Sequence, residues 1–180
     1  MIIKELKNIR YDRIWAMPSS STFTIKPIRE LLIEEMSGGL WADSFAGYNS
    51  PATLTNDLNP DAPTTNHEDA LQFLNKIGDN TLDGVLFDPP YSVRQLAECY
   101  KSVGLAVTQE LTRPNYWSDA KRAIARILKP GGKAICFGWN SGGIGITLGF
   151  KLVRILLVPH GGIHNDTIIT VEYKNKIKEI

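Results

Sequence analysis

The feature that most constrains this 180-residue chain is the run Gly84-Val85-Leu86-Phe87, which stops at Asp88-Pro89-Pro90-Tyr91. An unbroken apolar run bounded by turn residues reads as a strand buried on both faces. Such strands belong to parallel sheets covered by helices. Two consecutive prolines cannot continue a hydrogen-bonded ladder, so the chain must leave the sheet at Asp88. A carboxylate then stands at the carboxyl end of a buried strand, where open α/β sheets bind their ligands.

The flanking pattern agrees with an α/β fold. Pro27 can open a helix in which Ile28, Leu31, Leu32 and Met36 share a face, and Gly38-Gly39 stops it. Residues 40–45 and 53–57 suit short strands, and residues 70–77 a helix. Further helices are expected around residues 93–107 and 116–128, the second ended by Lys129-Pro130-Gly131-Gly132. Residues 134–139 suit a strand, followed by a glycine-rich loop over 140–145. Residues 152–158 and 167–173 are β-rich and joined without a helix through Pro159-His160-Gly161-Gly162, which suggests a final antiparallel hairpin. Strands alternating with helices imply a mostly parallel sheet. The loops beginning at Asp43, Asp57, Asp88, Asn140 and Pro159 then share one sheet edge. One domain over residues 1–180 is expected, with residues 1–22 as an N-terminal extension ending in the loop Pro18-Ser19-Ser20-Ser21.

Composition limits the function classes. At 43% hydrophobic and 22% charged residues, the chain can bury a core without disulfides or structural metal. Cys99 and Cys136 are too far apart for a ligand pattern and read as reduced thiols of a cytoplasmic protein. No apolar stretch has signal length or bilayer-spanning length, so no membrane partner is expected. The net charge of +1 excludes a general polyanion binder. Its distribution says more. Residues 43–92 hold eight acidic residues and a single lysine, whereas residues 93–133 hold eight basic and three acidic ones. The first stretch favours a cationic ligand and the second a polyanion.

Asp88-Pro89-Pro90-Tyr91 suits one chemistry in particular. An amino group on adenine or cytosine is a poor nucleophile, because its lone pair is delocalised into the ring. Acceptors on its two N–H groups favour a pyramidal nitrogen and stabilise the developing positive charge. Asp88 offers a carboxylate oxygen, Pro89 a backbone carbonyl, and Tyr91 a ring on which an extruded base can stack.

These four residues resemble the catalytic motif of amino-group DNA methyltransferases, especially the adenine-N6 enzymes. Asp43-Ser44-Phe45-Ala46-Gly47 resembles their cofactor motif, although Ser44 replaces the usual proline and Asn49 stands in place of the second glycine. Phe23-Thr24-Ile25-Lys26-Pro27 is similar to the upstream segment that closes over the cofactor's methionine part. Leu128-Lys129-Pro130-Gly131-Gly132 resembles the turn before the fifth strand. The resemblance spans roughly residues 23–173. It implies a Rossmann-like methyltransferase fold with a seven-stranded sheet, S-adenosylmethionine as cofactor, and adenine N6 in DNA as the target. Asp88, Pro89, Pro90 and Tyr91 are then the catalytic residues.

A site for S-adenosylmethionine needs a close backbone approach and acceptors for its hydroxyl and amino groups. Gly47 can give the approach. Asp57, ending the second strand, is placed for the ribose. Asp69 is a candidate for the cofactor's adenine amino group, Asp43 for the methionine ammonium, Thr24 and Ile25 for backbone contacts to the methionine end, and Phe45 for packing. Asp57 and Asp69 also suit plain helix caps. His160 and His164, separated by glycines and without a third ligand, are read as a hairpin turn or a base contact rather than a metal site. Methylation of RNA, at adenine N6 or guanine N2, is the nearest rival. A weakly active cofactor-binding module is the rival of another class. No segment is large enough for a separate target-recognition domain, so a partner supplying specificity is expected beside the nucleic acid.

Overall fold

The computed structural model describes residues 8–108 and 116–176. Residues 1–7 of the expected N-terminal extension and residues 109–115 of the basic segment lie outside these. The strands are β1 (Arg10–Arg13), β2 (Trp41–Asp43), β3 (Leu54–Thr55), β4 (Leu82–Phe87), β5 (Leu128–Gly138), β6 (Phe150–Val158) and β7 (Thr167–Lys174). The α-helices are α1 (Lys26–Glu35), α2 (Ala70–Lys76), α3 (Val93–Ser102) and α4 (Tyr116–Ile127). All seven strands form one sheet in the order β1-β6-β7-β5-β4-β2-β3. β7 runs antiparallel to β5 and β6, and every other pair is parallel. The expected mostly parallel sheet with a terminal antiparallel hairpin is therefore present.

One strand comes from an unexpected place. β1 lies within the segment read as an extension and pairs parallel with β6 at the sheet edge. Its sequence, Arg-Tyr-Asp-Arg, carries no apolar alternation, because edge strands are commonly charged. Arg154 of β6 fixes it. That buried guanidinium contacts Asp12 of β1 at 3.1 Å, Glu34 at 2.8 Å and Glu35 at 3.1 Å, tying β1, β6 and α1 together.

The central strands alternate their side chains between two cores. Val85, Phe87, Ala134 and Cys136 point to the face covered by α2 and α4, where Phe73, Leu74, Ile124 and Ile127 are buried. Leu86, Ile135 and Phe137 point to the face covered by Ile28, Leu31 and Leu32 of α1. Each such aliphatic side chain contributes about 1.5–3 kcal/mol by leaving water. Trp41 lies across the sheet over Gly84: a Cβ on that glycine would sit 2.3 Å from the indole. The glycine in β4 is thus a site of close approach.

Several boundaries differ from expectation. α1 starts at Lys26, with Pro27 inside its first turn rather than at its first position. α3 ends at Ser102 with a left-handed Gly104 just beyond, not near residue 107. Lys129–Gly132 does not separate α4 from the next strand. It lies inside β5 as a bulge, where pairing with β4 jumps from Leu82↔Leu128 to Gly84↔Lys133.

The topology locates the site. β2 is flanked by β3 on one side and β4 on the other. The chain moves outward from β2 to β3, then crosses back to β4, so the order reverses between β2 and β4. The crevice at such a reversal, beyond the carboxyl ends, is the ligand position of open α/β sheets. Those two ends carry Asp43 and Asp88.

Candidate active site

Asp88 directly follows β4, and the three residues after it are held from the next element. Ser92 caps α3 by accepting from Gln95 N–H at 3.2 Å, and Gln95 Oε1 accepts from Tyr91 N–H at 2.7 Å. Asp88–Tyr91 is therefore clamped between a strand end and a capped helix start. The Ser-x-x-Gln spacing of such a cap is visible in the sequence at Ser92–Gln95. The Tyr91 hydroxyl donates to Asp88 Oδ1 at 2.6 Å. Burial pushes the Asp88 carboxyl upward, opposed by hydrogen bonds from Tyr91 and Thr22.

Two cavities meet at this clamp. One, about 520 Å³, is lined by Ser44, Phe45, Asp57, Glu68, Asp88 and the Pro89-Pro90-Tyr91 turn. The other, about 210 Å³, lies on the far side of the same turn, against Trp117, Lys121, Trp139 and Asn140. The Tyr91 ring stands 5.3 Å from the Trp139 ring, tilted by 58°. Pro89, Pro90 and Tyr91 line both spaces and form the partition between them.

The larger cavity is lined by the acids Asp57, Glu68 and Asp88. Ser44 Oγ and Glu68 Oε2 are buried and have no hydrogen-bond partner among the described residues. Orphaned polar atoms of this kind are costly unless a ligand or water satisfies them. Asp43, Asp57 and Asp88 converge at the switch point. Burial foremost, together with the fields of Asp88 and Asp57, pushes Asp43 up to about 7.

The expected cofactor residues divide. Asp57 lines the cavity, with its oxygens also accepting from Gly47 N–H at 2.8 Å and Asn59 N–H at 2.8 Å. Phe45 lines it too and packs edge-on against Phe87 and Trp117, at centroid distances of 5.8 and 6.0 Å. Gly47 adopts the left-handed conformation that this turn needs, at φ +53°, so the turn survives without a second glycine.

Asp43 does not reach the cavity. It is fully buried, accepts from Phe45 N–H at 3.0 Å and from the Ser50 hydroxyl at 2.6 Å, and organises the turn after β2. Asp69 is likewise a structural acid: it caps α2 through Leu71 and Gln72 N–H and accepts from the Tyr100 hydroxyl at 2.5 Å. Its neighbour Glu68 lines the cavity, with Oε1 paired to Lys76 Nζ at 2.6 Å. Thr24 and Ile25 are absent from this lining, with the Thr24 hydroxyl bonding Ser21 O at 2.8 Å and the Ile25 side chain buried in the α1 core, while Thr22 lines the cavity beside Asp88. A one-residue offset around Asp69, and two residues around Thr24, separates the expected positions from the lining ones. Sequence pattern alone does not resolve offsets of that size.

His160 is a staple between segments. Its Nδ1 bonds Ala16 O and its Nε2 the Thr167 hydroxyl, each at 2.9 Å, while His164 is exposed. Arg126 of the basic segment donates to Leu74 O, Ile77 O and Asp79 at the end of α2.

No protein-family model matches the chain, and no curated protein does. Solved structures do. The 1,6-didemethyltoxoflavin-N1-methyltransferase of Burkholderia thailandensis, bound to 1,6-didemethyltoxoflavin and S-adenosylhomocysteine, superposes with a TM-score of 0.56 at 12% identity, covering 82% of this chain and 76% of that one. TrmN of Thermus thermophilus gives 0.54 at 17% identity over 83% of this chain, which spans 49% of the TrmN chain. The N-methyltransferase NodS of Bradyrhizobium japonicum gives 0.51 at 12% identity, covering 84% and 96%. At these identities the likeness is one of fold: the chain has the Rossmann-like methyltransferase fold.

Proposed function

We propose that this protein is an S-adenosylmethionine-dependent methyltransferase acting on an exocyclic amino nitrogen of a nucleic-acid base, with adenine N6 in DNA as the favoured target. The observation that carries this reading is the partition. Pro89-Pro90-Tyr91 divides a large acidic cavity, which Asp88 lines, from a smaller aromatic one.

The acidic cavity fits the cofactor. Its size lies in the usual range for small-molecule sites. Bound there, S-adenosylmethionine supplies an electrophilic methyl group on a sulfonium. Asp57 and Glu68 are placed to accept from its hydroxyl and amino groups, and Ser44 Oγ meets a polar atom. Phe45 packs against it. Asp43 acts through its field and through the turn it holds, without contact. The fold-sharing Burkholderia enzyme holds S-adenosylhomocysteine, which agrees with this assignment.

The aromatic cavity fits the acceptor base. Tyr91 and Trp139 offer faces for stacking, and Lys121 on α4 offers a cation for a neighbouring phosphate. Asp88 accepts from one N–H of the target amine and the Pro89 carbonyl from the other. The nitrogen becomes pyramidal with its charge stabilised, while its position relative to the methyl donor is fixed by the partition. Proton loss follows transfer, so Asp88 need not be a strong base beforehand.

The test is tritiated methyl transfer to DNA, RNA and protein in parallel, followed by nucleoside separation. Label in N6-methyl-2′-deoxyadenosine from DNA is the expected result. Label confined to RNA bases would move the substrate, and label in protein or small amines alone would refute the nucleic-acid reading.

A further inference from the structure

The parallel strands β5 and β6 are joined by residues 139–149, and this crossover carries no α-helix. Its only regular element is the 3-10 turn Ile146–Leu148. Crossovers between parallel strands are usually helical, which satisfies their backbone groups internally. Here a side chain from the sheet performs that task. Glu172 of β7, opposite Ala134 in the ladder, is buried to 3% exposure. Its carboxylate accepts from Ile144 N–H at 2.5 Å and from Gly145 N–H at 3.1 Å. Gly143 packs directly on it: a Cβ there would lie 2.2 Å from Glu172 Oε2, and its φ of +52° is left-handed.

The same crossover begins with Trp139 and Asn140, which with Gly143 line the smaller cavity. Trp139 is the ring that faces Tyr91. The wall opposite the Asp88–Tyr91 turn is therefore set by a segment whose inner end is tied to Glu172. We propose that Glu172 is a positioning residue for the acceptor site, holding residues 139–145 so that Trp139 and Asn140 face Tyr91 across the base-sized cavity. The proposal of an acceptor base there rests on the function proposed above; the positioning itself does not. Burial of an acid is costly, and burial pushes the Glu172 carboxyl upward against its two backbone N–H bonds and the field of Lys121. A group retained at that cost on a central strand has a specific task in shaping the loop.

The test uses two variants that attack one contact from opposite sides. Glu172→Gln keeps one acceptor and loses the other, and Gly143→Ala drives the loop off an intact carboxylate. Each is compared with its own Trp139→Phe background, so that the Trp139 part of the fluorescence is read by difference. Both variants should raise acrylamide quenching of Trp139 and leave S-adenosylmethionine affinity within about twofold, since Glu172 is absent from the lining of the larger cavity. With nucleic acid, KM should rise about ten- to hundredfold, with kcat falling less, as expected for a misplaced binding wall. The double variant should be no worse than the more severe single one. If Glu172→Gln does not fold, Gly143→Ala decides. Unchanged Trp139 quenching in a folded variant would overturn the positioning role. A protein that methylates no base but shows the quenching change would keep that role and overturn the proposed substrate.

Discussion

The Tyr91 hydroxyl donates a 2.6 Å hydrogen bond to Asp88 Oδ1. On the proposed function, the tyrosine thus occupies a lone pair that the target amine needs, and base entry must exchange one donor for another. The phenol is not a passive end of a stacking ring. Burial, the Asp88 charge and this hydrogen bond all push its pKa upward, so it remains a donor across the working pH range.

Tyr91→Phe should therefore change the pH dependence as well as the rate. The Tyr91 bond holds the Asp88 carboxyl down against burial. Removing it lets the Asp88 pKa rise, and the acid limb of the kcat/KM profile should move to higher pH. Tyr91→Ala should lose base affinity as well, by about 1–3 kcal/mol for a stacking ring. A Tyr91→Phe profile that overlays the wild type would show that the hydroxyl does not act on Asp88 in the working enzyme.

Asp43 predicts a stability effect with a definite sign. Its folded pKa is pushed up to about 7 from 3.8, chiefly by burial. An acid that holds its proton more tightly when folded stabilises the fold below its unfolded pKa. That contribution fades as pH rises from about 4 and is gone above about 7. At 1.36 kcal/mol per unit, the shift corresponds to about 4 kcal/mol. Unfolding free energies measured in denaturant should fall between about pH 4 and about pH 7, and Asp43→Asn should flatten the fall. Asparagine keeps an acceptor for Phe45 N–H. A variant with the wild-type slope would assign the pH dependence to other groups.

The acids near the larger cavity should separate by readout. Asp57→Ala and Glu68→Gln should weaken S-adenosylmethionine binding, by about 1–3 kcal/mol for a lost charged hydrogen bond. Asp69→Ala should instead lower the melting temperature through its lost helix cap, worth about 1 kcal/mol, with cofactor affinity nearly intact. Calorimetry that ranks Asp69 above Glu68 for the cofactor would reverse the assignment of the two neighbours.

The basic segment yields a similar contrast. Lys121 lines the acceptor cavity, whereas Arg126 holds the carbonyls at the end of α2. Lys121→Ala should reduce the salt slope of nucleic-acid binding by about one. Arg126→Ala should leave that slope alone and cost about 1–3 kcal/mol of stability. An unchanged slope for Lys121→Ala would place the phosphate contact on another cation.

Why some of this was legible beforehand can be argued from particular residues. The strand before Asp88 was readable because burial on both faces writes an unbroken apolar run, and Pro89-Pro90 marks its end without ambiguity. β1 was not readable. Its stability comes from Arg154, more than a hundred residues away, and from an edge position that tolerates charge. The cofactor side was legible as a set of loops but not residue by residue. Asp43, Asp57 and Asp69 each end or cap an element, and local sequence cannot distinguish an acid that satisfies the backbone from one that faces a ligand. Glu172 left no local sign, because it sits in an ordinary strand and its role depends on a loop that returns across the sheet face.

Asp88 carries the decisive prediction. Asp88→Ala should retain the fold, because the carboxylate ends a strand and its hydrogen-bonding partners are the side chains of Tyr91 and Thr22, with no buried backbone donor depending on it. Cofactor affinity should be mostly retained, since Ser44, Asp57 and Glu68 remain in the lining of the larger cavity. Methyl transfer should nevertheless fall by about 10²–10³, the usual loss when one preorganised hydrogen-bonding group is taken from a charge-developing centre. The contact strengthens as the amine becomes pyramidal, so the loss should appear in kcat and in kcat/KM to a similar extent. Asp88→Asn keeps a carbonyl acceptor and should retain part of the activity, provided its amide turns the oxygen toward the base and the nitrogen toward Tyr91. Single-turnover transfer at saturating cofactor separates chemistry from product release. A folded Asp88→Ala protein that methylates at the wild-type rate would remove Asp88 from the reaction, and with it the reason for reading the two cavities as donor and acceptor sites.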